Sequence, residues 1–215
     1  MGPKRLVIIG AGATADIAHE YFTYDSDYEV VGFSVERDYL DKSKLRGLPV
    51  VAFDELEKAF DPSCHSFYAA VTFTQQNRVR ARLYAAAKQK GFTPASYVSS
   101  HAFVARSAVI GEHCFIFENN VVQPFVEIGD DVTLWSGNHI GHHSSIGSHT
   151  FVSSHVVVSG YGKIGKYCFL GVNTTIIHNV TIGNDCLIGA GSLILSDVPD
   201  GAKVVGKWHV KKEKD

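Results

Sequence analysis

The chain has 215 residues, a formal net charge of −2 at pH 7, and 45% hydrophobic residues. That balance suits a folded globular protein of one or two domains and argues against nucleic-acid or acidic-lipid binding, for which no excess of positive charge is available. No apolar run approaches the roughly 20 residues that span a bilayer, and Met1-Gly2-Pro3-Lys4-Arg5 leads straight into a strand rather than a signal peptide. A cytoplasmic protein without a membrane span is therefore expected.

Taken along the chain, Leu6-Val7-Ile8-Ile9 predicts a short buried strand, broken by Gly10-Ala11-Gly12-Ala13-Thr14. Ala15 to Tyr24 reads as a helix with Ile17, Ala18, Tyr21 and Phe22 on one side, and Glu29 to Val35 as a second strand. Phe53 to Phe60 looks helical. Ser66 to Val71 is a third strand, followed by a helix over about Asn77 to Lys90 that Gly91 stops. A last strand covers Ser96-Tyr97-Val98-Ser99. This alternation predicts a small Rossmann-like parallel α/β domain over residues 1–100.

The loop after the first strand carries the chemical interest of that half. Gly10-x-Gly12 at a strand-to-helix turn offers backbone N–H groups and a helix N-terminus where a phosphate can sit, together with Ala13 and Thr14. Ala15 stands where the dinucleotide fingerprint has its third glycine, so a nucleotide diphosphate is a better fit than a nicotinamide cofactor. A tight turn with no ligand stays open as an alternative. Glu36, ending the second strand, is placed to meet a ribose hydroxyl or to face solvent, and Asn77 to contact ligand or to cap its helix.

The second half changes period. From Val104 to Ile194 every sixth residue is Val, Leu or Ile, without a slip of register. Neither a helix nor an ordinary strand has that spacing; a hexapeptide parallel β-helix of three-sided coils does. Each aliphatic should stack on the residue eighteen positions away. Two residues earlier lies a second inward position, mostly small, which includes Cys114, Cys168 and Cys186. Three of the four cysteines are thus expected to be core, with no structural disulfide and no cysteine metal site. Glycine often follows the aliphatic, as at Gly111, Gly129, Gly141 and Gly147, where a tight corner is expected to require positive φ. The coil should occupy residues 101–206, leaving a 207–215 tail whose Lys211-Lys212-Glu213-Lys214 is solvated.

A β-helix draws its chemistry from side chains projecting at its edges. The segment from His139 to His155 holds five histidines: His139, His142, His143, His149 and His155. They can bind zinc, act as bases, or simply cover successive turns. No two histidines of the chain are five residues apart, the pair that zinc-binding coils of the γ-carbonic-anhydrase type require, so no metal is expected.

Gly10-Ala-Gly-Ala-Thr-Ala before a helix, a short α/β domain, a coil containing Gly141-His142-His143-Ser-Ser-Ile-Gly147, and Asp197-Val198-Pro199 after the last coil together form a wider pattern. In it the chain resembles the sugar O-acyltransferase and sialic-acid O-acetyltransferase-like family, whose relatives include nucleotide-aminosugar N-acetyltransferases of the bacillosamine and perosamine type. The resemblance implies a Rossmann-like domain followed by a left-handed parallel β-helix, assembled as a homotrimer. It implies acetyl transfer from acetyl-CoA to the amine of a UDP- or dTDP-linked 4-amino-4,6-dideoxy sugar, directly and without an acyl-enzyme. O-acetylation of a sugar or sialic acid, or a non-catalytic scaffold, are the alternatives. The family's catalytic base matches His142, with His143 or His155 as substitutes; a free imidazole, titrating near 6.5, suits that work at neutral pH. Relatives commonly carry Asp or Glu where this chain has His143, so what orients His142 is left open. Coenzyme contacts are implied at Gly160, Val172 and Ala190, with Trp135 a neighbour, and the sugar's diphosphate at Gly10, Gly12, Ala13 and Thr14.

Overall fold

The computed structural model describes residues 4–209, so the lysine-rich tail lies outside the described residues. The chain divides into two compact units between Tyr97 and Val98. In the first, β1 (Lys4–Ile9), α1 (Ala13–Tyr24), β2 (Tyr28–Val35), β3 (Lys44–Leu45), β4 (Leu48–Ala52), α2 (Leu56–Ala59), β5 (His65–Ala69), α3 (Arg78–Gln89) and β6 (Thr93–Pro94) follow in order. They build one sheet in the order β3-β4-β2-β1-β5-β6. All neighbours run parallel except the hairpin β3–β4.

β1 lies at the centre, and its Leu6, Val7 and Ile8 are fully buried. A strand covered on both faces needs an unbroken apolar run rather than alternation, and Leu-Val-Ile-Ile is one. The order also creates a switch point: β2 flanks β1 on one side and β5 on the other, so the loops at their C-terminal ends part and leave a crevice. The β3–β4 hairpin has no counterpart in the sequence reading. Arg46 and Gly47 turn it with φ of 51° and 81°, the two left-handed residues a two-residue hairpin loop requires. Arg-Gly is a weaker signal than Asn-Gly, which is why the hairpin was not legible. The helix over Phe53–Phe60 is instead a 3-10 turn, Phe53–Glu55, followed by the four residues of α2.

The second unit is the three-sided coil. Its strands are two residues long, and from Phe103–Val104 to Leu193–Ile194 the second residue of each is the aliphatic of the hexad, as in Glu127–Ile128, Thr133–Leu134 and His139–Ile140. Parallel pairing stacks Ile128 on Ile146, Ile146 on Ile164 and Ile164 on Ile182. Ile140, Leu134, Val152 and Leu170 are fully buried, and so are Cys114, Cys168 and Cys186 at the small position. Asn120 and Asn138 occupy that position too. Their side-chain amides donate to the Trp135 carbonyl, which gives these buried polar groups partners inside the coil.

The glycine expectation needs correction. Among the described residues, none of Gly111, Gly129, Gly141, Gly147, Gly165, Gly171, Gly183 and Gly189 has positive φ. They are required for close approach: a Cβ at position 147 would lie 2.6 Å from the carbonyl carbon of Gly165, and one at 171 would lie 2.5 Å from the nitrogen of Ala190. The left-handed residues fall three places after each aliphatic, at His113, Asn119, Phe125, Asp131, Gly137, His143, His149, His155, Tyr161 and onward to Gly191. Asn, Asp, His and Gly tolerate that conformation best. Three of the five clustered histidines, His143, His149 and His155, thus sit at corner positions with φ between 57° and 62°.

Candidate active site

In the α/β unit the crevice at the switch point is a cavity of about 790 Å³. The loop after β1 (Gly10, Ala11, Gly12, Ala13, Thr14), the end of β2 (Val35, Glu36) and the segment after β5 (Ala70 to Thr72, Thr74, Gln75) line it. Gly10 has φ +130°, and a Cβ there would lie 2.6 Å from the Ala70 carbonyl oxygen, so only glycine lets the loop leave β1 here. Gly12 is the N-cap of α1 and contributes no side-chain cap. The first N–H groups of the helix therefore open toward the cavity with the positive end of its dipole.

Charge around the cavity is mixed. The Lys42 ammonium donates to the Ala11 carbonyl at 3.2 Å, and Arg82 clasps Glu36 through two hydrogen bonds of 2.8 and 2.9 Å. The Arg82 guanidinium holds the Glu36 carboxyl below its ordinary range. Lys42 and Arg82 are the functional candidates that sequence reasoning missed. Their approach to the Gly10 loop depends on chain crossings that local patterns do not reveal. Asn77 is a correction. It stands at the N-cap of α3 with φ 64°, makes no side-chain cap hydrogen bond, is 1% exposed and does not line the cavity. The left-handed backbone aims its side chain inward.

On the coil, His142 follows Ile140-Gly141 at an exposed edge. Its backbone N–H donates to Gln123 Oε1 at 2.9 Å, and its ring meets Tyr161 edge-to-face at 5.3 Å. His142 Nδ1 lies 3.1 Å from His143 Nδ1. Its Nε2 lies over Gly160, where a Cβ would come within 2.7 Å of that nitrogen. Gly160 therefore shares an edge with His142, one coil later. Val172 and Ala190 occupy the edge that follows Phe169–Leu170 and Leu187–Ile188, a whole face away from Gly160. Trp135 begins that other edge and stacks on Phe117 at 4.4 Å and 9°. One chain thus brings His142, His143 and Gly160 together, and sets Trp135, Val172 and Ala190 apart from them. His155 lies against Gly137, whose Cβ would meet its Nδ1 at 2.6 Å, and not against His142.

A second histidine grouping lies on the third edge. Asp131, fully buried, accepts from His113 Nδ1 at 2.7 Å and from His149 Nδ1 at 2.8 Å. His149 in turn stacks on Tyr167 at 4.7 Å. Sequence reasoning left His149 open between zinc ligand, base and cover of a turn, and did not register Asp131. Both stand in the period-six corner column, which was the available signal. Among the described residues, no three His, Cys, Asp or Glu side chains are grouped so as to hold a metal ion.

Comparison with known proteins bears on this arrangement. Residues 107–141, 127–160 and 162–196 match the family model for the bacterial transferase hexapeptide (six repeats). No curated protein matches in sequence. The acetyltransferase domain of PglB from Neisseria gonorrhoeae, solved in complex with acetyl coenzyme A, is 25% identical over 95% of this chain and 97% of its own, with a TM-score of 0.84. PerB from Caulobacter crescentus, in complex with CoA and GDP-perosamine, is 25% identical over 96% of this chain and 95% of its own, also with a TM-score of 0.84. The coil thus carries the repeats of the bacterial transferase hexapeptide model, and the whole chain has the fold of these acetyltransferase domains. WeeI from Acinetobacter baumannii, at 20% identity and a TM-score of 0.79 over 94% of this chain and 96% of its own, shares the fold. No described helix of the chain is long and apolar enough to cross a membrane.

Proposed function

We propose that the protein transfers acetyl from acetyl-CoA to the amine of a nucleotide-linked 4-amino-4,6-dideoxy sugar, with His142 as general base. The observation that carries this reading is the exposed His142 imidazole with Nε2 opened by Gly160. A base must bring a nitrogen lone pair within hydrogen-bond reach of the reacting amine, and a bare glycine beside it leaves that room. The cavity of the α/β unit supports the acceptor class. Its glycine loop, helix N-terminus, Lys42 and Arg82 suit a diphosphate, and Glu36 suits a ribose hydroxyl. The GDP-perosamine in the PerB complex points to the same class.

In the reaction His142 Nε2 takes a proton from the amine as the nitrogen attacks the thioester carbonyl. The tetrahedral intermediate then collapses, the C–S bond breaks, and the imidazolium returns the proton to the departing CoA thiolate. Backbone N–H groups near Gly160 would stabilise the oxyanion. Amine and thioester react directly once aligned, so no nucleophilic side chain is needed. The coil's cysteines agree with this: Cys114, Cys168 and Cys186 are buried, and burial pushes Cys168 up to about 12, far from a thiolate at neutral pH. All four cysteines are free, which supports a cytoplasmic placement.

Gly160 and the pair Val172 and Ala190 stand on different edges of one prism, so a single coenzyme meets both sets only when two protomers each supply one. Such a shared groove suits the homotrimer that the family resemblance implies. The test is to mix the protein and acetyl-CoA with UDP-, dTDP- and GDP-linked 4-amino sugars and follow release of the CoA thiol. Turnover on at least one amino sugar and loss of turnover in His142→Asn are expected. Turnover on hydroxyl acceptors alone, or full activity of His142→Asn, refutes the proposal.

A further inference from the structure

His143 stands beside the base as a second imidazole, and four observations give it a task. Its φ of 57° folds the chain so that its Nδ1 comes to 3.1 Å from His142 Nδ1. Two imidazole nitrogens at that distance share one proton, carried by one ring and accepted by the other. The His143 ring is clamped between its neighbours in the corner column, stacked on Tyr161 at 4.9 Å and 10° and tilted on Phe125 at 4.8 Å and 34°. Phe125 and Tyr161 hold left-handed φ of 63° and 61°, a conformation that disfavours bulky side chains, at a position filled elsewhere in the coil by Asn119, Asn173 or Gly191. His142 meets His143 edge-to-face at 87°, and its other nitrogen faces the gap at Gly160.

Resting on the reading of His142 as base, we propose that His143 is a positioning residue: it accepts the Nδ1–H of His142 and so keeps the lone pair on Nε2. The hydrogen bond made by one ring nitrogen decides which nitrogen of a histidine carries the proton. With His143 Nδ1 as acceptor, His142 is the Nδ1–H tautomer and its free lone pair points over Gly160. The opposite arrangement puts the proton on Nε2 and leaves His142 unable to take one from an amine. His143 remains the acceptor throughout the cycle. When Nε2 of His142 takes the amine proton, the Nδ1–H stays on its acceptor, and the ring returns to neutral when the CoA thiolate takes the proton back. A neutral imidazole held in an aromatic sandwich thereby does for orientation what a carboxylate does elsewhere.

Two substitutions separate acceptor from ring. His143→Phe keeps an aromatic at a corner position where Phe125 and Tyr161 show that one folds, but removes the acceptor nitrogen. His143→Asn keeps an oxygen acceptor on a residue that favours the left-handed corner. Nitrogen-15 NMR of ring-labelled protein should show His142 as the Nδ1–H tautomer in the wild type and in His143→Asn, and shifted toward Nε2–H in His143→Phe. The kcat of His143→Phe should fall about 10- to 100-fold with KM for acetyl-CoA little changed, and His143→Asn should recover most of it. An Nε2–H tautomer in the wild type overturns the proposal without any variant, and so does a His143→Phe protein with unchanged tautomer or unchanged kcat. The tautomer is read without substrate. Loss of the base reading through an active His142→Asn is therefore distinguishable from loss of this one.

Discussion

Replacing Asp131 tests whether the corner column carries stability as well as shape. Asp131 is fully buried and gives one carboxylate oxygen to His113, itself fully buried, and the other to His149, whose side chain is 19% exposed. Hydrogen bonds to a charged group contribute about 1.5–3 kcal/mol each, so the two together amount to roughly 3–6 kcal/mol. Asp131 also holds φ 57°, where alanine is strained by roughly 1 kcal/mol. Asp131→Ala should thus lose about 4–7 kcal/mol, or roughly 10–25 °C of melting temperature for a chain of this size. Asp131→Asn should lose about 1–3 kcal/mol, because asparagine tolerates the left-handed corner and keeps one oxygen acceptor. The assay is denaturant unfolding followed by far-ultraviolet circular dichroism at matched protomer concentration, since association shifts apparent stability. An Asp131→Ala protein within about 1 kcal/mol of wild type, or an asparagine variant as damaged as the alanine one, refutes the reasoning.

Two further outcomes follow from the same geometry. Gly160→Ala introduces a Cβ 2.7 Å from His142 Nε2 without asking for an unusual φ, and the atom it meets is the movable end of a side chain. Turnover should drop about 100-fold, the cost of displacing a reacting group by about 1 Å, while the melting temperature stays close to wild type; wild-type kinetics in that variant would remove Gly160 from the site. Ellman's reagent should titrate one thiol per native chain, the exposed Cys64, and all four after denaturation, because burial shields Cys114, Cys168 and Cys186 and pushes the thiols of Cys168 and Cys186 up. Rapid reaction of more than one native thiol contradicts the packing of the coil.

The order of events along the chain was written in the sequence. An unbroken hexad from Val104 to Ile194 predicts a three-sided coil, because six residues per side returns each aliphatic to the interior, where all but the partly buried Val104 and Ile110 are buried. The buried run of β1 and the Gly10 loop were equally plain, since a doubly covered strand and a glycine-dependent turn are local demands. The histidine corner was half legible. His142 was marked by the family resemblance and stood out of phase with His143, His149 and His155, whereas the left-handed role of position 143 and its equivalents showed only once φ was known.

Tertiary structure decided what meets what. Glu36 and Arg82 are 46 residues apart in the chain and Lys42 lies 31 beyond Ala11, yet these groups surround one cavity because parallel strands bring their loops to the same sheet edge. Asp131 meets His113 and His149 only because the coil stacks residues eighteen apart. Glycines that sequence reading assigned to positive φ proved to be spacers between backbones. Spacing along a chain reports which side of an element a residue faces; it carries no information on how closely the next coil approaches, and that approach is what selects glycine here.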